Sequence, residues 1–412
     1  MALLTRCIDS SAVINNSVRV EINRAKQSAL LFADALFADC KGHSHDSVLY
    51  YVRQLDAESA IQKAAAASDI DPFHQFQLFA RLSVLRVELL AAQDYYEQTL
   101  KYSQGGSYEN LMEYSLFCRF SFLDHKALEL AQRALQAADG PLQECRARLN
   151  IAYILCNMGE PDKALSELTS IQGMRIKKKP RDLDPSINML VGMAYSQKDE
   201  PDMAMLYYTD ALNSYRKMKD VLVPPQYILR ELCNIYSVKG EYQKSIQCLN
   251  EALSYTKQYN NPINRDLARS QIYLQWGVLL KNMGAYNFAR EKFQISLQTI
   301  SRIVMRNRNY ISDLAEIETL QAALDIEMKD YLHAEALCED AYRIYNSCKY
   351  SYSSEAMSGK ATLLRTFGDL YTAMGRYNDA QQKYQQALEV YNMLTRSSNR
   401  VYKADMAVVL NR

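Results

Sequence analysis

One arrangement of residues recurs along this chain and leaves little freedom in what the chain can become. Near its C-terminal end the sequence places Gly368, Tyr371, Gly375, Ala380, Tyr384 and Ala387 at offsets of 0, 3, 7, 12, 16 and 19. The same grid fits Trp276-Gly277, Leu280, Gly284, Ala289, Phe293 and Ser296, with Tyr286 two residues after Gly284. It fits again at Cys233, Tyr236, Gly240, Tyr242, Ser245, Leu249 and Ala252. Further copies run through Gly192, Tyr195, Pro201, Ala204, Tyr208 and Ala211, and through Ala152, Leu155, Gly159, Pro161, Ala164, Leu168 and Ile171. A weaker one passes Ala322, Tyr331, Ala334, Cys338 and Ala341, with Asp325 where the others carry an aromatic or leucine. Small residues at the first and fourth points let two helices cross closely. Large ones fill the space beside them, and a glycine after the first helix can end it in a left-handed turn.

Composition agrees with helices. The 412 residues include 13 Gly and 9 Pro, about 5% of the chain against roughly 12% in average proteins. A turn-rich β protein needs more of both. Seven glycines (159, 192, 240, 277, 284, 368, 375) lie on the grid, and Pro161 and Pro201 share one grid position. The few punctuators are therefore periodic.

A grid of small, aromatic and alanine residues at these offsets resembles the tetratricopeptide repeat family, in which each repeat is an antiparallel helix pair and stacked repeats form a right-handed superhelix. The resemblance implies an all-α solenoid that presents its first helices to a protein or peptide partner. The fourth grid points fall at 164, 204, 245, 289, 334 and 380, farther apart than the family's usual step of about 34. The extra residues are expected between the second helix of one repeat and the first of the next, as longer second helices and longer loops. In this the C-terminal half is similar to the long-helix repeats of kinesin light chains. Pro185-Ser-Ile-Asn188-Met-Leu, with Ala33-Asp-Ala-Leu36 near the start, resembles repeats of the anaphase-promoting complex's subunit seven. The expected organisation is a degenerate helical region over 1–140, six repeats over 141–396, and a capping helix or tail over 397–412. In the first region Ala33–Leu36 reads as a helix, Ala127, Ala131 and Ala134 as a second-helix track, and Gly105-Gly106 and Gly140-Pro141 as breaks.

Catalytic chemistry finds no foothold. His43 and His45 lack further ligands at zinc spacing, and no phosphate-binding glycine loop or nucleophile elbow occurs. Nine scattered cysteines form no C-x-x-C pair and suit a reducing compartment. With 48 Lys+Arg against 47 Asp+Glu, no basic excess points to nucleic acid. The tyrosines and Trp276 fall mostly on grid positions, where packing explains them. No apolar run reaches membrane-spanning length. The expectation is a non-enzyme with no cofactor or metal, cytoplasmic or nuclear, with Lys177-Lys178-Lys179-Pro180-Arg181 as a nuclear-import candidate.

Partner-facing positions are expected three before and one after each first grid point, one helical turn apart. They are Leu149 and Tyr153, Met189 and Met193, Arg230 and Asn234, Leu274 and Val278, Thr319 and Ala323, and Arg365 and Asp369, with Tyr227 and Gln275 on adjacent turns. Thr319 and Ala323 break the Lys/Asn pattern of repeats that clamp chaperone tails, and the asparagine row of kinesin light chains is missing. Met189, Met193, Leu274 and Val278 suggest a helix or extended peptide held by apolar contacts. The function expected is a scaffold within a multiprotein complex, such as a cell-cycle ubiquitin ligase. A cytosolic cargo adaptor and a peptide-responsive regulator are the alternatives.

Overall fold

The computed structural model describes residues 48, 50, 51, 57–66, 72–85, 89–103, 106–121, 123–177, 179–218, 225–258, 262–306, 310–347, 354–397 and 403–410. Ala33–Leu36, His43, His45, Gly105 and Lys178 lie outside them. The described elements are helical throughout, as the grid requires. They fall into two compact units, one running to Val223 apart from Met158–Glu160, the other from Pro224.

In unit 1, α1 (Ala57–Ala65) precedes four packed pairs. These are α2 (Pro72–Leu85) with α3 (Leu89–Tyr102), α4 (Tyr108–Phe120) with α5 (Asp124–Gln136), α6 (Pro141–Asn157) with α7 (Pro161–Gln172), and α8 (Leu183–Gln197) with α9 (Pro201–Arg216). Unit 2 also has four: α10 (Gln226–Val238) with α11 (Tyr242–Tyr255), α12 (Pro262–Asn282) with α13 (Tyr286–Arg306), α14 (Ile311–Glu327) with α15 (Tyr331–Ser347), and α16 (Ser354–Ala373) with α17 (Tyr377–Ser397). A last helix, α18 (Lys403–Leu410), sets Val409 against Tyr391 and Leu394 of α17.

The first two pairs obey the grid too. Ser115 and Cys118 precede Ala127, Ala131 and Ala134 at the required offsets, and Ala80 and Ser83 precede Ala92, Tyr96 and Thr99; all ten are buried. Fourth grid points then fall at 92, 127, 164, 204, 245, 289, 334 and 380, so the step lengthens steadily from 35 to 46. The added residues do not go only into second helices and loops, as expected. Second helices grow from 12 residues in α7 to 21 in α13 and α17. First helices grow as well, from 13 in α10 to 21 in α12 and 20 in α16.

The grid's offsets have a direct physical cause. Where the first point is glycine, the aromatic at offset 16 lies against its Cα. A Cβ on Gly192 would stand 2.8 Å from Tyr208, on Gly277 2.6 Å from Phe293, and on Gly368 2.3 Å from Tyr384. In the later copies where the first point keeps a Cβ, the facing residue is smaller (Ala152 with Leu168, Cys233 with Leu249, Ala322 with Cys338), whereas Ala80 faces Tyr96. The offset-7 residue is left-handed in all six copies from α6/α7 onward. Gly159, Gly240, Gly284 and Gly375 adopt φ of 72–75°, and Asp199 and Lys329 adopt 59° and 62° without being glycine. The turns at Asp199, Gly240, Gly284, Lys329 and Gly375 each close with a backbone bond of the Schellman type, for example Arg376 N–H to Tyr371 O at 2.7 Å.

Candidate functional site

Within each unit the first helices lie side by side, α4 on α6 and α6 on α8 in unit 1, and α10 on α12, α12 on α14 and α14 on α16 in unit 2. Their shared face is where a partner was expected. In unit 1 most of that face is closed, with Leu149 half-buried. Tyr153, Met189 and Met193 are buried, and the Arg119 guanidinium lies 4.3 Å from the Tyr153 ring centre. Arg119 Nη1 donates to Asn150 Oδ1 at 2.6 Å, Asn150 Nδ2 to Ser115 Oγ at 2.8 Å, and Ser115 Oγ to Ala127 O at 2.7 Å. The partner-facing position Tyr153 and the apolar lining assigned to Met189 and Met193 are core packing instead. Periodicity finds the helix face but not what lies over it. Leu274 in unit 2 is buried for the same reason, in the cluster that holds Phe293 and Leu324; Val278 packs against that cluster but is only half-buried.

The polar positions of unit 2 behave differently. Asn234 is exposed, and Tyr227, Arg230 and Gln275 are half-buried. They are linked across α10 and α12. Arg230 Nε donates to Gln275 Oε1 at 3.0 Å, and Gln275 Nε2 donates to Arg230 O and to Asn234 Oδ1, each at 2.8 Å. Burial raises the Glu231 carboxyl and the neighbouring Arg230 charge opposes the rise. The strip therefore offers an exposed amide, a guanidinium held in place by a neighbouring amide, and an adjacent tyrosine. Such groups can bond the backbone or polar side chains of an extended or helical segment. On α16, Asp369 accepts from Tyr384 Oη at 2.8 Å, and Arg365 is half-buried with its Nε unbonded. Thr319 is buried and returns its hydroxyl to Ala315 O. The face of unit 2 is thus polar at α10/α12 and at α16.

Other groups singled out in the sequence find ordinary surroundings. Trp276, expected in the core, is half-buried, with Lys292 Nζ 5.5 Å from its ring centre. The six cysteines among the described residues are buried and form no disulfide, and burial pushes the thiols of Cys118, Cys156, Cys233 and Cys338 up to about 12, which makes them poor nucleophiles. Lys179 of the basic run pairs with Asp184. One cluster went unnoticed in the sequence. Asp325, fully buried in its repeat's aromatic slot, binds Arg290 Nη2 at 2.7 Å and His333 Nδ1 at 2.7 Å, and Asp330 lies 3.2 Å from the same arginine. Asp325, Asp330 and His333 are close enough to share a cation, but the guanidinium already supplies the positive charge there. Among the described residues, no helix is long and apolar enough to cross a membrane.

Comparison with known proteins bears on the fold. Residues 367–393, spanning the α16/α17 turn, match the tetratricopeptide repeat family model. The chain is similar to a Pyrococcus horikoshii signal transduction ATPase with numerous domains that carries a tetratricopeptide repeat sensor, at 17% identity, 86% coverage of this chain, 57% of that one, and a TM-score of 0.53. It is also similar to a Rap protein complexed with competence and sporulation factor, at 13% identity, 93% and 100% coverage, and a TM-score of 0.51. No curated protein sequence matches it.

Proposed function

We propose that this tetratricopeptide repeat protein is a non-enzymatic binding scaffold whose partner, a helix or extended peptide, lies on the first-helix face of unit 2. The observation that carries the reading is the Arg230–Gln275–Asn234 ladder. It is a polar strip joining two repeats, at the positions where this family receives its partners. In unit 1 the equivalent Tyr153, Met189 and Met193 are buried among the protein's own side chains. Tyr227 and Val278 flank the strip, and Arg365 and Asp369 add a second polar contact on the same unit. The test is quantitative affinity purification from the source cell with wild type, Arg230→Glu and Gln275→Ala, each checked by circular dichroism. Partners retained by wild type and lost by both folded variants support the strip. An unchanged partner set contradicts it.

A second reading is a peptide-responsive regulator. Its support is the likeness to the Rap protein complexed with competence and sporulation factor, which extends over nearly the whole of both chains. In that case a short synthetic peptide bound by the protein shifts its radius of gyration in solution scattering, and Arg230→Glu removes the shift. Placement in a cell-cycle ubiquitin ligase or on a motor-driven cargo corresponds to recovery of those components in the purification, from nucleus or cytoplasm respectively.

A further inference from the structure

Several half-buried arginines of this chain are held by carboxylates. Arg148 lies between Glu144 and Glu167 at 3.0 and 2.7 Å, Arg290 between Asp325 and Asp330 at 2.7 and 3.2 Å, and Arg265 3.5 Å from Asp266. Arg230 and Arg365, on the first-helix face of unit 2, are different. Arg230 gives its Nε–H to the Gln275 amide, and its guanidinium makes no ion pair among the described residues. Arg365 makes neither a hydrogen bond nor an ion pair among them, and its Nε is closed off from water.

The crossing beneath Arg365 explains its isolation. Asp369 stands one turn further on, at the i,i+4 spacing of a helical ion pair. Cation before anion is the weaker order for such a pair, whereas Glu144 precedes Arg148. Gly368 has no side chain, so the Tyr384 ring lies against α16, and Tyr384 Oη donates to Asp369 Oδ1 at 2.8 Å. The phenol thus holds the carboxylate that Arg365 would otherwise reach, and the guanidinium keeps its charge uncompensated.

An uncompensated guanidinium is a strong site for a carboxylate, which it can take through two parallel hydrogen bonds. Arg230 on α10 and Arg365 on α16 are separated by α12 and α14. Neighbouring packed helices stand about 8–10 Å apart, so one carboxylate cannot reach both cations. The partner-facing positions between them hold Gln275, Val278, Thr319 and Ala323, none of them charged. Resting on the reading that the partner lies on this face, we propose that the partner segment is acidic. It carries two separate carboxylates, one received by Arg230 and the other by Arg365, with an uncharged stretch between them. Charge complementarity of this kind sets which segment is accepted more than how tightly it is held.

The test is selection of random phage-displayed peptides on the full chain, with a photoreactive side chain at position 234 in a parallel sample to show which peptides lie on the face. Wild type is expected to enrich peptides with two separated Asp or Glu positions. Arg230→Gln and Arg365→Gln, matched to wild type by circular dichroism, each abolish one of the two preferences and weaken a wild-type-selected peptide by about tenfold. Arg365→Glu exchanges its acidic preference for Lys or Arg, a change that lost folding does not produce. Peptides that crosslink at position 234 without acidic enrichment, or an enrichment unchanged in both glutamine variants, overturn the proposal and leave the face as the binding site. No recovered peptide, or none that crosslinks at position 234, overturns the reading of the face and the proposal with it.

Discussion

The two ends of the chain hold their helices together by different means. In unit 1, α2, α3 and α4 meet at a buried ion pair. Arg81 Nε and Nη2 donate to the two oxygens of Glu113 at 2.6 and 2.5 Å, and Gln77 and Tyr96 Oη add further bonds to the same carboxylate at 3.2 Å. Arg119, Asn150 and Ser115 then tie α4 to α5 and α6. In unit 2, α12/α13 and α16/α17 meet by shape, glycine against aromatic ring. Directed polar bonds join the first helices of neighbouring repeats in one place, and close apolar packing joins the two helices of a repeat in the other. A polar network leaves a large penalty when one member is removed. A tight crossing leaves a steric one. The two should therefore break in different ways.

The largest effect is expected in the polar network. Arg81→Met leaves Glu113 buried without its cation and should cost about 3–5 kcal/mol, seen as lost exchange protection in α2–α4. Arg81→Met with Glu113→Leu should recover most of it, since an apolar replacement of both partners restores a dry interface; no recovery would show that the pair does more than pack. Next is Gly368→Ala, whose methyl would collide with Tyr384. It should cost about 1–3 kcal/mol by overpacking, and Tyr384→Leu in the same chain should relieve it, as Leu168 already does opposite Ala152. A smaller gain is expected where the left-handed turn lacks glycine. Lys329→Gly should raise the unfolding midpoint of unit 2, with about 1 kcal/mol at stake, while Gly375→Lys should lower it. Smallest is Arg343→Ala, which removes an exposed i,i+3 pair and should change stability by less than about 0.5 kcal/mol.

How much of this was readable in the sequence depends on which residues carry the geometry. Gly277 and Phe293, or Gly368 and Tyr384, announce a crossing because one extreme of size faces the other at a fixed offset. The α4/α5 crossing uses Ser115 and Ala131, and α2/α3 uses Ala80 and Tyr96. These are commonplace residues, so the alanine track at 127, 131 and 134 was visible while its first-helix partner was not. Arg81 and Glu113 stand 32 residues apart and no local pattern joins them. Helical offset groups Arg230, Asn234 and Gln275, and hydrogen bonds across α10 and α12 link them. The same offset could not tell that Met189 and Met193 are covered. Asp325 showed as an interruption of the grid, but its cation comes from Arg290 in the preceding repeat.

The central claim is that partner recognition belongs to the open polar strip of unit 2. Its most direct test is site-specific photocrosslinking in the source cell, with the reactive side chain placed at Asn234 on the strip and, in a separate chain, at the exposed Gln247 on α11. The account predicts a discrete partner adduct from position 234 and none from 247. Equal labelling from both positions, or an adduct from 247 alone, would contradict it.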